Sequence, residues 1–475
     1  MKNHLFLLLI MLPLLWMGSN GQHDWGDDFA QYLLQTKHLL DGQAQTSTCV
    51  IEPASHPTVA IRAYPVGFPL LLAVAFGLFG TGILVGQYFM SMLFLLLGLI
   101  LFNFFRRSQS NFIAILLTLA IVYNPILWEY KTQLLSEVPF LLFLYVCLLM
   151  IEAEIVSNRW VALLGLALGF LLSIRIIGCV LPIAWIVAIC FSRSRAKRKM
   201  GIFSVAISFV FFFFLQQLLF PMDLTGLFNF YSRATVEHNF ALTANANNYY
   251  ELSCLLFPLP YKALFIPGII VLFILITGFY SEFRKRSVTG FFMAMYLLVI
   301  LLYPYHGGGY RFLLPLIPWI LLSLFELIPL LTKRLQHPIW KVFPSALAVL
   351  FLTGSGWSSW KYMHAPTVHG PQQTTSFELF EFLKKNTGEQ DVVVFCKARA
   401  LCYYTGRNST YRVHGHTIEQ MAADFEKCGV TRLILPNRWN QPELYDPALV
   451  HYLATYATRY LQEWSNSDFT CYRKK

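Results

Sequence analysis

Charge is scarce in this chain, and acidic charge scarcest: its 475 residues hold 25 Asp and Glu against 36 Lys and Arg, and charged residues make up 13%. Soluble domains carry roughly a quarter charged residues. A soluble globular protein is therefore excluded, the more so because the 56% of apolar residues fall in long uninterrupted blocks. The chain reads as an α-helical polytopic membrane protein. Its formal charge of +11 does not point to nucleic acid, because the basic residues collect in short loops between apolar segments, where membrane orientation places them. Paired, metal-like cysteine spacing is also lacking. Cys147, Cys179 and Cys190 lie inside apolar segments as packing, whereas Cys49, Cys254, Cys396, Cys402, Cys428 and Cys471 lie outside them. An oxidising compartment would permit a disulfide among these six, of no specified pairing.

About eleven spans are expected. Leu5 to Met17 has the length and basic flank of a signal-peptide core but no convincing small-x-small site follows, so it reads as an uncleaved first span, with removal as the alternative. The others run from Leu84 to Phe105, Phe112 to Leu127, Leu134 to Ile151, Val161 to Ser173, Ile176 to Phe191, Ile202 to Phe220, Leu264 to Tyr280, Val288 to Tyr303, Phe312 to Leu331 and Ile339 to Gly354. The apolar run after Tyr64-Pro65-Val66-Gly67-Phe68-Pro69 is bounded by helix breakers and reads as a short helix at the membrane surface. Counting Lys and Arg beside the spans gives fifteen on the side of Lys2 against seven on the other. The N-terminus is thus cytoplasmic, and the first loop, the polar loop Pro221 to Pro260, the glycine loop before Arg311 and the tail face outward. From Trp357 to Lys475 the composition becomes that of a small extracytoplasmic α/β domain. Helices are expected at Ser376 to Asn386 with Phe377, Phe380 and Leu383 inward, at Ile418 to Cys428, and finally at Pro447 to Tyr460, with strands at Val392-Val393-Val394-Phe395 and Arg432-Leu433-Ile434-Leu435. This tail shows neither a glycine-rich phosphate loop nor a nucleophile elbow, and no chemistry is assigned to it.

Against the shortage of acid, Asp24, Asp27 and Asp28 cluster just past the first apolar segment. Asp28 with Gln31 reads as a capping box opening a helix whose stripe is Phe29, Tyr32, Leu33, Thr36 and Leu40, ending near Gly42. Asp27, outside that helix, is a candidate general base or cation ligand, with a solvated loop residue as the plainer reading. Glu137, one turn into the fourth span, is either functional or an acid at a helix N-terminus. Arg175, at the turn between two short apolar segments, and Arg311, after Gly307-Gly308-Gly309, have the planar fork that suits a phosphate, or else snorkel to the interface. His306 could pair with that phosphate or simply bond its loop. Glu129 and Lys131 solvate the third loop, and Tyr64 and Lys131 are the candidate substrate-binding residues. Glu237-His238 and His414-x-His416 are weak metal signals.

The order of these motifs resembles the GT-C membrane glycosyltransferases, in the branch of the dolichyl-phosphate-mannose protein mannosyltransferases and the bacterial lipid A aminoarabinose transferase. The resemblance rests on Gly26-Asp27-Asp28-Phe29-Ala30-Gln31-Tyr32, on Tyr64-Pro65-Val66-Gly67-Phe68-Pro69-Leu70-Leu71-Leu72, on Ser136-Glu137-Val138-Pro139, on Tyr310-Arg311-Phe312-Leu313-Leu314-Pro315-Leu316-Ile317-Pro318 and, in the tail, on Tyr403-Tyr404-Thr405-Gly406-Arg407. It implies that Asp27 is the catalytic acid/base, with Asp28 beside it and Glu137 as a second acid. Many relatives have Asp-Glu where this chain has Asp27-Asp28, which leaves open which aspartate acts, and Tyr-Pro-Pro-Gly where it has Tyr64-Pro65-Val66-Gly67, a conservative difference for a surface helix. The expected activity is transfer of a sugar from a polyprenyl-phosphate donor to a lipid, polysaccharide or protein acceptor, in a bacterial inner membrane, with no cofactor called for. Arg311, His306, Arg175 and Tyr310 would hold the donor phosphate. A flippase or transporter of lipid-linked sugars is the rival, but such proteins show repeated halves and this chain does not. A non-catalytic scaffold is the third reading.

Overall fold

The computed structural model describes residues 2–45, 48–53, 64–153, 155, 157–219, 247–248, 251, 265–303, 306–332, 339–363 and 370–475. The expected polar loop Pro221 to Pro260, with Glu237-His238, lies almost wholly outside them. The chain begins with α1 (Lys2–Met11), continued by a 3-10 turn to Leu15, and then α2 (Asp27–Leu40), α3 (Gly67–Phe79) and α4 (Ile83–Phe105). Next come α5 (Asn111–Val122), α6 (Pro125–Thr132), α7 (Glu137–Glu152), α8 (Asn158–Ile174), α9 (Val180–Cys190) and α10 (Arg195–Leu219). After the undescribed loop follow α11 (Phe265–Lys285), α12 (Val288–Leu301), a 3-10 stretch His306–Leu316, α13 (Ile317–Thr332) and α14 (Ile339–Met363).

Among the described residues three helical stretches are long and apolar enough to cross a membrane: Ile83–Phe105, Arg195–Leu219 and Tyr310–Leu327. The segment expected as one straight third span is broken: α5 and α6 meet at 57°. Asn124 causes the break, since its side chain accepts from the Ile126 N–H at 2.9 Å and starts a new helix with Pro125 in its first turn. The loop expected at Trp128 to Gln133 is therefore mostly helix, and Lys131, expected to solvate it, is fully buried. Its ammonium donates to the Met17 carbonyl at 2.6 Å and to Ser91 at 3.1 Å, because α6 folds back over the end of the first segment.

The membrane helices pack where small residues let backbones approach. A Cβ on Gly67 would stand 2.6 Å from the Ser173 carbonyl carbon, so only glycine lets the start of α3 lie on the end of α8. That contact holds Tyr64, just before α3, over α2. The Gln35 side chain pins it further, donating to the Tyr64 carbonyl at 2.8 Å and accepting from its N–H at 2.9 Å. The stripe of α2 is buried as expected at Phe29, Tyr32, Leu33 and Thr36, but Leu40 is exposed. Gln31, Gln35 and His38 are buried too, because neighbours cover this helix on more than one face.

The tail folds into α15 (Thr374–Asn386), α16 (Ala398–Thr405), α17 (Ile418–Lys427) and α18 (Pro447–Thr455) around a five-stranded sheet. Its strands are β1 (Val392–Val394), β2 (Asn408–Thr410), β3 (Val430–Pro436), β4 (Tyr460–Ser465) and β5 (Phe469–Lys474), in the order β2-β1-β3-β5-β4. β1 runs parallel to β2 and β3, whereas β5 is antiparallel to β3 and β4. Two expectations are corrected. Phe377 is exposed while Leu379, Phe380 and Leu383 face inward. The final helix stops at Thr455, and Tyr460 opens a hairpin that covers the β3 edge.

The tail and the first loop are built into each other. Trp25 stands edge-on to Phe380, Phe395 and Phe469, with ring centroids 5.5–6.2 Å away. The Ile51 N–H donates to the Ser409 carbonyl at 2.7 Å, which adds the first loop to the β2 edge. Cys49 and Cys402 form a disulfide with Cα atoms 5.6 Å apart, a pairing that the sequence leaves open. Removing it by Cys402→Ser is expected to cost about 2–4 kcal/mol of stability. Thermal unfolding checks the cost, and mass spectrometry of alkylated, unreduced protein should find Cys49 and Cys402 unlabelled.

Candidate active site

The site is built where the starts of α2 and α7, the end of α8 and the 3-10 stretch before α13 converge. Helix α2 begins at Asp27, two residues earlier than a cap at Asp28 would place it, with Gly26 as its N-cap, so Asp27 lies in the first turn of the helix and not outside it. The expected capping box is absent because Asp28 is engaged elsewhere. One of its oxygens accepts from the Tyr64 hydroxyl at 2.6 Å and the other from Arg311 Nη1 at 2.7 Å. Asp24 shapes the approach instead, its carboxylate accepting from the Gly26 N–H at 3.0 Å in a two-residue turn.

Glu137 is buried and joins the two arginines named from the sequence. Its Oε1 accepts from Arg311 Nε and, at 2.5 Å, from Arg175 Nη1. Its Oε2 is buried with no hydrogen-bond partner among the described residues. Arg175, which caps α8, also faces the rings of Phe140 and Phe312 at 5.9 and 5.5 Å. The result is a chain of alternating charge, Asp28–Arg311–Glu137–Arg175. It is lined by Tyr32, whose hydroxyl donates to Ser136 at 2.9 Å. Burying an acid or a base in such a place costs several kcal/mol unless it is paired, and here each member has an opposite neighbour.

Asp27 has a different setting. Its carboxylate accepts from the Ala400 N–H at 3.3 Å, and Arg399 Nε lies 3.8 Å from its second oxygen. Burial pushes its carboxyl above the ordinary aspartate range, against the pull of Arg399, Lys397 and the Ala400 N–H. Burial acts upward on Asp28 as well, but Arg311, the Tyr64 hydroxyl and Arg399 outweigh it and hold that carboxyl low. Adjacent carboxylates thus differ in basicity. Arg399 is the residue that the sequence reading missed: nothing in the run Lys397-Ala398-Arg399-Ala400 distinguishes it from a surface arginine.

The other candidates lie elsewhere. Tyr310 sits beside the cluster but bonds Glu129 at 3.4 Å. No described bond links Lys131 to the carboxylates. His306 starts the 3-10 stretch, and its side chain lies outside the described residues. His414 and His416 pair separately with Arg412 and Asp424, each at 3.0 Å. Among the described residues no three His, Cys, Asp or Glu gather as metal ligands.

No protein-family model and no curated protein matches the chain. Solved structures do. ArnT from Cupriavidus metallidurans bound to undecaprenyl phosphate is matched at 11% identity over 98% of this chain and 97% of that one, with a TM-score of 0.54. The Archaeoglobus fulgidus oligosaccharyltransferase is matched at 11% identity over 99% and 73%, with a TM-score of 0.62. The arabinofuranosyltransferase AftD from Mycobacteria is matched at 13% identity over 99% and 41%, with a TM-score of 0.53. All three are GT-C glycosyltransferases, and the chain has their fold.

Because Glu137 keeps two buried cations together, Glu137→Leu should destabilise the protein by about 3–5 kcal/mol. Unfolding of wild type and variant in the same detergent measures this, and equal stability would show that the pairing contributes nothing.

Proposed function

We propose that this protein transfers a sugar from a polyprenyl-phosphate donor to an acceptor hydroxyl at the extracytoplasmic face of a membrane. The observation that carries the reading is the aspartate pair at the start of α2, one carboxylate locked between Arg311 and Tyr64 and its neighbour left more basic. Neighbouring acids driven apart in this way divide the roles of base and charge partner. Asp27 is the base: the acceptor oxygen bonds to the anomeric carbon, its proton passes to Asp27, and the bond from that carbon to the donor phosphate breaks. A single displacement inverts the anomeric centre. Polyprenyl phosphate is the leaving group.

The arginines supply positive charge where the phosphate develops negative charge. Arg311 and Arg175, with Tyr310 and His306 beside Arg311 in the chain, form the donor-phosphate side. The donor's charge would reorganise the pairs that the arginines make with Glu137 and Asp28. The Oε2 of Glu137, which has no hydrogen-bond partner among the described residues, suits a sugar or acceptor hydroxyl. Tyr64, already bonded to Asp28, stands on the substrate side, whereas Lys131 is set aside as a structural contact. The fold shared with glycosyltransferases supports the reading, as does the amphiphilic donor's need for cations near the membrane surface. We further propose about eleven spans, a cytoplasmic N-terminus, an outward-facing domain from residue 357 and a bacterial inner membrane as the location.

Purified protein in lipid, given a panel of polyprenyl-phosphate sugars, tests this directly. Asp27→Asn should lower turnover at least about a hundredfold while leaving the protein folded. A base works unprotonated, so kcat/KM should rise with pH along a limb set by Asp27, above the free aspartate value of about 3.9. Undiminished turnover by Asp27→Asn would remove Asp27 from the chemistry. Donor binding without turnover by wild type would favour a transporter of lipid-linked sugars.

A further inference from the structure

The tail reaches the aspartate pair through the first turn of α16. Arg399 Nη1 donates to the Tyr64 hydroxyl at 2.7 Å and stands 3.9 Å from Asp28, while its Nε stands 3.8 Å from Asp27. The guanidinium carbon stands 5.3 Å from the centre of the Tyr64 ring, so the cation is held against this tyrosine. One residue on, the Ala400 N–H donates to Asp27. This is one of the N–H groups that a helix start leaves unbonded, and it favours negative charge.

Arg399 is not needed to dock the tail. The Cys49–Cys402 disulfide lies on the next turn of the same helix, and the Ile51–Ser409 pairing and the seat of Trp25 among Phe380, Phe395 and Phe469 hold the two parts together independently. What the arginine adds is a cation almost equidistant from two adjacent carboxylates that would otherwise repel.

We propose that Arg399 is a positioning residue of the site, supplied by the C-terminal domain, which holds Asp27 and Asp28 side by side as carboxylates so that Asp27 can take the acceptor's proton. This rests on the glycosyl-transfer reading. On it, the C-terminal domain is part of the reaction centre, and the disulfide and the Trp25 seat set how closely its cation approaches. The groups that face Asp27 are Asp28 on its own helix and Lys397, Arg399, Cys396 and Tyr411 from the tail. Among these, only Lys397 and Arg399 carry positive charge. Loss of Arg399 therefore makes Asp27 harder to ionise.

The experiment uses the full chain in lipid, comparing wild type, Arg399→Gln, Arg399→Lys and Asp27→Asn across pH. Arg399→Gln should lower kcat/KM about tenfold or more near neutral pH and move its acid limb up by about one pH unit. Arg399→Lys, which keeps the charge, should bring the limb most of the way back. A structural role alone would change yield or stability and leave the limb in place. The same shift is readable without turnover, from carbodiimide labelling of Asp27 against pH by mass spectrometry. An unmoved labelling curve and an unmoved limb in Arg399→Gln would overturn the inference while leaving the transferase reading standing. A moved labelling curve, with no donor turned over by wild type, would support the placement of Arg399 and overturn the transferase reading.

Discussion

The Arg311 guanidinium bridges Asp28 at the start of α2 and Glu137 at the start of α7, and it comes from the 3-10 stretch that leads into α13. Three parts of the chain far apart in sequence are thereby fixed to one charge. An unpaired charge in that interior would cost several kcal/mol, so the positions of α2, α7 and α13 are not independent of one another. Arg175 extends the arrangement to the end of α8. The first loop, which in a sequence looks free to move, is instead held from below by membrane helices.

It is held from above as well. The Cys49–Cys402 disulfide, the addition of residues 49–51 to the β2 edge and the seat of Trp25 place α16 directly over the start of α2. The close approach of Gly370 to the His23 carbonyl, where a Cβ would overlap the oxygen, shows how little room is left between the two parts. Asp27 and Asp28 therefore lie in a seam. One aspartate faces the membrane arginines and the other the tail, which is why neighbours in sequence have carboxyls displaced in opposite directions.

Much of this was legible in the chain. Apolar blocks, glycine and proline boundaries and the Lys/Arg imbalance follow from the cost of putting backbone and charge into lipid, a local constraint that each segment satisfies for itself. Glu137, Arg175 and Arg311 stood out because charge is rare here and each stands in or beside an apolar segment, whereas Asp28 read only as a helix cap beside Asp27; the structure brings these four together. The misreadings share another cause. The capping box at Asp28 obeys local rules, but two stronger partners from distant segments take the same oxygens. Lys131 looked solvated because its neighbours are polar, yet α6 folds it inward. The closing hairpin was missed because Tyr460 to Ser465 is a half-exposed edge strand whose pattern lacks clean alternation.

The sequence by itself determined that this is a helical membrane chain poor in charge, because burial in lipid acts on each segment separately. Only the tertiary structure decided which charge meets which. Pairing depends on distances between residues hundreds of positions apart, and neither Arg399 over the aspartates nor Cys49 against Cys402 leaves a local mark in the chain.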